Sequence, residues 1–195
     1  MKRVLNLLLF CMMSTALTAQ VSQSDRDFAI KYLQTTHENI VAAVADLPDE
    51  TFNAKPNDGG WSVSNCLEHI LLTEAMFTQM MQTNGAKGTP DPELDLSAGD
   101  AWLIGGVANR GTKAQTAEPF EPTGKWESKE AMLEALETSR MNLKAYLSTT
   151  EDDLRHISAD TPMGKLDLYQ LALVIAAHSQ RHLFQMQEVL AEVNS

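Results

Sequence analysis

The sequence predicts an all-α protein, a four-helix bundle. Two observations carry this. Apolar residues recur at steps of three and four in four separate stretches, and polar, turn-forming runs lie between them. No stretch reads convincingly as a strand, and there are no internal repeats. The chain has 195 residues, 44% of them hydrophobic, which suits one domain with a full core.

The first helix is expected over residues 24–47. Ser24 can cap it, and Asp25 and Asp27 suit the positive end of its dipole. Ile30, Leu33, His37, Ile40, Val44 and Leu47 form its seam. Pro48 and a polar run ending in the turn residues 57–60 close it. Trp61 then precedes a second helix over about 62–83, capped by Ser62. Asn65 stands where a capping box would want Glu or Gln, so the box reads as incomplete. Leu67, Ile70, Leu71, Met76, Phe77, Met80 and Met81 make this helix apolar over much of its surface, so it should be deeply buried. Glu74 interrupts that surface, either as an exposed residue or as support for a site.

Residues 84–126 form a connection rich in Gly, Pro and Asp, with a short helix expected near 101–108. A helix of about 20 residues is roughly 30 Å long. This connection can traverse that length, which allows the second and third helices to run parallel; a simple up-down-up-down bundle would not need it. The third helix, 128–148, carries Met132, Leu136, Leu143 and Leu147 with charges opposite and no His or Cys, and reads as scaffold. A second polar connection, 151–166, leads to Asp167, which caps the fourth helix, 167–193, with Gln170 completing a box.

The fourth helix holds the chemistry. Its seam runs Leu168, Leu171, Ile175, His178, His182, Gln185 and Val189. Residues four apart on a helix point within about 40° of each other, so the two imidazoles can reach one point. His69 lies on the apolar second helix at a depth that matches within about one turn if the two ends share a pole. Neutral imidazole is a common ligand for divalent transition metals, and three protein ligands with an open position characterise catalytic zinc. The spacing H-x-x-x-H alone is weak, because two histidines on an apolar stripe can be a satisfied core pair. The metalloprotease signature is absent, since Ser179 fills its Glu position. Cys66, three before His69, reads as a small core residue rather than a ligand. His37 reads as a core or supporting histidine, and His156 as solvated. Glu68, Glu74 and His37 are candidates for a general base by proximity alone.

Residues 1–19 read as a secretory signal peptide: basic Lys2 and Arg3, an apolar run, then small residues up to Ala19. Phe10 before Cys11 speaks against a lipoprotein. The domain is then 20–195, periplasmic or secreted, with no stable membrane association after cleavage. Losing Lys2 and Arg3 takes the formal charge from -11 to -13, which argues against a nucleic-acid partner. Cys66 would be the only cysteine left, so no intramolecular disulfide forms.

The stretches GGWSVSNCLEHILLTE and AAHSQRHLFQM resemble the two signature stretches of the DinB-like superfamily of four-helix metal-binding proteins. LPDETFNAKPNDGGWS and PMGKLDLYQLALVIAAHSQRH resemble the usual lead-ins to its second and fourth helices, so the resemblance spans most of the mature chain. It implies an up-down-down-up bundle and a divalent metal, nickel or zinc, on His69, His178 and His182. Relatives include thiol-dependent S-transferases and isomerases that use bacillithiol, mycothiol or glutathione. Those thiols are mainly cytosolic, so export puts metal-dependent hydrolysis of a small-molecule substrate ahead. A non-enzymatic metal or small-molecule binding module is the competing class. The resemblance also implies a homodimer.

Overall fold

A computed structural model describes residues 21–112 and 115–195. The expected signal segment lies outside the described residues. Four long helices make the bundle: α1 (Gln23–Val44), α3 (Val63–Lys87), α5 (Lys129–Thr149) and α6 (Leu168–Val193). Two shorter ones, α2 (Asp49–Asn53) and α4 (Asp100–Ala108), lie in the connections.

α6 packs on α1 and α3, and α5 packs on the same two from the other side. Helix-end contacts fix the directions. Arg26, at the start of α1, donates to the carbonyls of Leu147 (2.5 Å) and Thr150 (3.2 Å) at the end of α5. Lys129, at the start of α5, donates to Leu47 O beyond the end of α1 (2.6 Å). Each cation meets the negative pole of an antiparallel neighbour. Tyr169, at the start of α6, donates to Asp25 O at the start of α1 (2.9 Å), so these two run parallel. The order is up-down-down-up. The parallel pair α3 and α5 requires the long crossover, which carries α4 along the flank of α6.

Several local expectations need correction. The cap of α1 is Ser22, whose Oγ accepts from Asp25 N (3.1 Å), and the helix ends at Val44 rather than Leu47. The run after Pro48 is not all turn: α2 forms there and buries Phe52. α3 continues to Lys87. Its capping box is complete: Asn65 N donates to Ser62 Oγ and Ser62 N to Asn65 Oδ1, both at 3.2 Å. The amide oxygen of Asn65 serves where Glu or Gln was expected. The connection before α6 contains an antiparallel hairpin, β1 (Ser158–Thr161) and β2 (Gly164–Asp167), where no strand was expected. Four-residue strands around Pro162 and Gly164 are too short for a visible alternation, and Gly164 supplies the positive φ of +104° at the turn. Asp167 and Gln170 form the expected box.

The core divides into two apolar halves. One contains Leu33, Phe77, Leu143 and Ile175; the other contains Ile40, Leu67, Leu136 and Met186. Between them a polar belt crosses every long helix: Thr36 and His37 on α1, Thr73 and Glu74 on α3, Ser139 and Arg140 on α5, His178, Ser179 and His182 on α6. Arg140 is fully buried, its Nη2 lying 2.9 Å from Glu74 Oε2, an ion-pair contact off the line of a good hydrogen bond. It also donates to Ser179 Oγ (2.6 Å), Leu33 O (3.2 Å) and Thr36 Oγ1 (3.3 Å), and Ser139 donates to Glu74 Oε1 (2.8 Å). Ser179, which disqualified a protease signature, is here one of the acceptors of a buried guanidinium, whose Nε has no hydrogen-bond partner among the described residues.

Candidate metal centre

His69 sits in the second turn of α3, held at its depth by the capped start of that helix. His178 and His182 are one turn apart on α6. The antiparallel packing of α3 on α6 brings all three rings together at one end of the belt. His178 Nε2 lies 3.2 Å from His69 Nε2 and 3.1 Å from His182 Nε2. One ligand atom from each ring falls within 4.8 Å of the others, with His69 and His182 buried and His178 half-buried. The Trp61 ring closes one side, its centroid 4.8 Å from that of His69 and 6.0 Å from that of His182.

The outer nitrogens settle the tautomers. His69 Nδ1 is 2.7 Å from Phe120 O, which can only accept, so Nδ1 carries the proton. His182 Nδ1 is 3.0 Å from Gln185 Oε1. His178 Nδ1 is 3.3 Å from Thr73 Oγ1, whose own hydrogen faces the carbonyls of His69 and Ile70, so the hydroxyl oxygen accepts from the ring. With each Nδ1 protonated, a neutral ring presents a bare lone pair at Nε2, and three lone pairs face one another. Ideal tetrahedral coordination at about 2.0–2.1 Å places ligand nitrogens about 3.3 Å apart. The donor set, its spacing and its orienting bonds therefore fit a divalent transition metal.

Electrostatics keep the rings neutral. Burial pushes the His178 pKa down to about 3, with His69 and Arg181 adding like-charge repulsion. Burial lowers His182 well below its ordinary value, with repulsion from His178 and His69 adding to it, and burial also lowers His69, against the opposing bond to Phe120. In metal-free protein these shifts mean that the unfolded chain binds more protons than the native one below the ordinary histidine pKa of about 6.5. Stability of chelator-treated protein is thus expected to fall as pH drops from about 6.5 toward 3. Buried Asp167, raised to about 6, opposes this over the upper part of that window as a single group. Thermal melts at pH 7 and pH 5 check the net sign.

The other candidates go elsewhere. Cys66 is fully buried and its thiol is pushed up to about 12 by desolvation, so it is core, as expected. Glu68 is buried and accepts from the backbone of Thr123, Gly124 and Lys125. Glu74 is spent on Arg140 and Ser139. His37 lies 3.1 Å from Glu137 on α5, and it is not among the three converging rings. None of the three proposed bases faces the Nε2 centre as a free group. His156 is not simply solvated: its ring packs 2.9 Å from Asp153 Oδ2.

Sequence reasoning missed the role of the crossover. Phe120 O, a backbone atom 51 residues from His69, carries no side-chain signal. Arg110 Nη1 donates to Gln185 Oε1 (3.3 Å), the same oxygen that orients His182, and its other donors grip Glu188 (2.6 Å). Arg181 holds the crossover by the carbonyls of Asn109 and Thr112. A surface groove between Asn109, Arg110, Phe184 and Glu188 includes no histidine in its lining. The three converging rings therefore lie outside the lining of that concavity.

Comparison with known proteins agrees with this architecture. A family model described as the DinB superfamily matches residues 32–186, a span that includes all three histidines. A Bacillus subtilis protein, YuaE, described as uncharacterized, is 26% identical over 148 residues, covering 75% of this chain and 88% of that protein. Among solved structures, YfiT from Bacillus subtilis is described as a probable metal-dependent hydrolase with an unusual four-helix bundle topology. It aligns with 90% of this chain and 91% of its own at a TM-score of 0.62 and 16% identity, which shows a shared fold.

Proposed function

Because the chain belongs to the DinB superfamily, we propose that it is a metal-dependent hydrolase, with one nickel or zinc ion held by His69, His178 and His182. The observation that carries this is the convergence of three Nε2 lone pairs, each fixed by an acceptor on its Nδ1. When bound, such an ion supplies Lewis acidity toward water or a substrate oxygen. The chain's own contribution is positional. Thr73, Gln185 and the Phe120 carbonyl hold the rings, and Trp61 screens one side from solvent. Of the three rings only that of His178 belongs to a half-buried residue. Among the described residues, no Cys or carboxylate joins the three rings, the three-ligand pattern of a catalytic rather than a structural zinc site.

The reading includes export, on the composition of residues 1–19, and a homodimer, on family resemblance. Among the described residues no helix is long and apolar enough to cross a membrane. Sequencing the N-terminus of exported protein and sedimentation of the purified chain test these two parts.

The reaction is tested with untagged, zinc-loaded protein against a panel of small esters, amides and lactams. Turnover that disappears in His178→Ala is the expected result. Turnover only with an added low-molecular-weight thiol would instead assign an S-transferase. No turnover with a fully retained ion would leave the binding module.

A further inference from the structure

Glu68 precedes His69 on α3, and one helical step of about 100° turns its carboxylate away from the Nε2 centre and toward the crossover. Its Oε1 accepts the amides of Thr123 (2.9 Å) and Lys125 (3.0 Å) and the Thr123 hydroxyl (3.3 Å). Its Oε2 accepts the amide of Gly124 (2.9 Å). Three successive amides can converge on one anion because the chain turns sharply at Gly124, where φ is +77°. Three residues before this clamp, the Phe120 carbonyl meets His69 Nδ1. Neighbouring side chains of α3 thus grip the crossover at two points. One grip is a buried charge-assisted cluster, and the other is the orienting bond of a candidate ligand. The opposite flank repeats the arrangement, with Arg110 of the crossover reaching His182 through Gln185.

We propose that Glu68 is a positioning residue for the three-histidine centre: by clamping the amides of residues 123–125 it seats the Phe120 carbonyl on His69 and couples docking of the 118–125 segment to binding of the ion. Arg110 supports His182 in the same way. The proposal rests on the metal reading above. A cation on Nε2 makes the Nδ1–H a stronger donor, so the ion tightens the link to Phe120. By thermodynamic reciprocity, a docked segment then tightens the ion. Loss of such orienting partners typically costs about 10- to 100-fold in metal affinity.

The test is zinc titration of metal-free protein, with cobalt spectra and amide exchange measured alongside. Glu68→Gln keeps the size of the side chain but replaces one acceptor oxygen by a donor facing N–H groups. It is expected to weaken zinc about 10-fold and to shift the cobalt d–d bands. Arg110→Met, on a side chain 25% exposed, serves as the second variant should Glu68→Gln fold poorly, and it is expected to weaken zinc in the same direction. In the wild type, exchange at the amides of Thr123, Gly124 and Lys125 is expected to slow when zinc is added. A purely structural clamp would lower the melting temperature of Glu68→Gln while leaving zinc affinity and cobalt spectrum unchanged, and that result overturns the proposal. So does exchange at residues 123–125 that is indifferent to zinc. Wild-type protein that binds no zinc overturns the metal reading and this proposal together, whereas tight wild-type binding with unaltered variants overturns this proposal alone.

Discussion

Arg140→Met is expected to cost about 3–5 kcal/mol of folding free energy, the usual penalty for stranding one member of a buried ion pair. The reason lies in the belt between the two apolar halves of the core. Arg140 and Glu74 are both buried, and the guanidinium also satisfies Ser179, the Leu33 carbonyl and Thr36. Without it, the Glu74 carboxylate keeps only the Ser139 hydroxyl. A buried carboxylate left without its cationic partner costs free energy. A chain of this size shifts its melting temperature by about 2–4 °C per kcal/mol, so the loss corresponds to roughly 6–20 °C. The double variant Glu74→Leu, Arg140→Met removes both charges and should recover much of that loss, because a hydrophobic replacement of a buried pair is often neutral. Urea melts of the two single variants and the double variant form the cycle. A double variant as unstable as the sum of the singles would mean that the pair contributes nothing through mutual contact.

Zinc is expected to stabilise the wild type and leave His178→Ala unchanged. At a free concentration about 1,000 times the dissociation constant, a ligand that binds only the native state adds about 4 kcal/mol. For this chain that is roughly 8–16 °C. His178 is the critical choice, because its Nε2 lies 3.1–3.2 Å from both partners. Its removal leaves two rings contributed by different helices, with the middle donor gone. The relevant quantity is the shift between chelated and zinc-loaded samples of the same variant, so the cavity left by the substitution cancels. A full-sized shift in His178→Ala would place the ion elsewhere.

Much of the bundle is legible in residue pattern, because helix formation and burial both follow the three-four spacing of apolar side chains. The pairing of His178 with His182 follows from the same spacing, and the parallel run of α3 and α5 follows from the length of the crossover. The polar belt was also written there, though less plainly. Arg140 stands on the seam of Leu136, Leu143 and Leu147, and Glu74 on that of Ile70 and Phe77. Taken helix by helix, each is one charge on one stripe. The common level appears only when the helices are aligned. Arg140, on that seam, is fully buried. The hairpin escaped because pairing is a property of two segments and four residues carry little period. The backbone support of the rings was not legible at all. Phe120 contributes a carbonyl, which every residue possesses, and the amides that hold Glu68 are equally anonymous in sequence. Glu68 drew notice as a base because of its neighbour His69, yet its charge faces the crossover.

Whether one cation is held by three imidazoles is decided by X-ray absorption of untagged protein purified with its native metal and matched by elemental analysis. About one equivalent of nickel or zinc is expected. For zinc, a first shell of nitrogen or oxygen is expected near 2.0–2.1 Å, with the multiple scattering of three imidazole rings behind it. A sulfur shell near 2.3 Å, a shell without imidazole scattering, or protein that holds no transition metal at all would contradict three-imidazole binding.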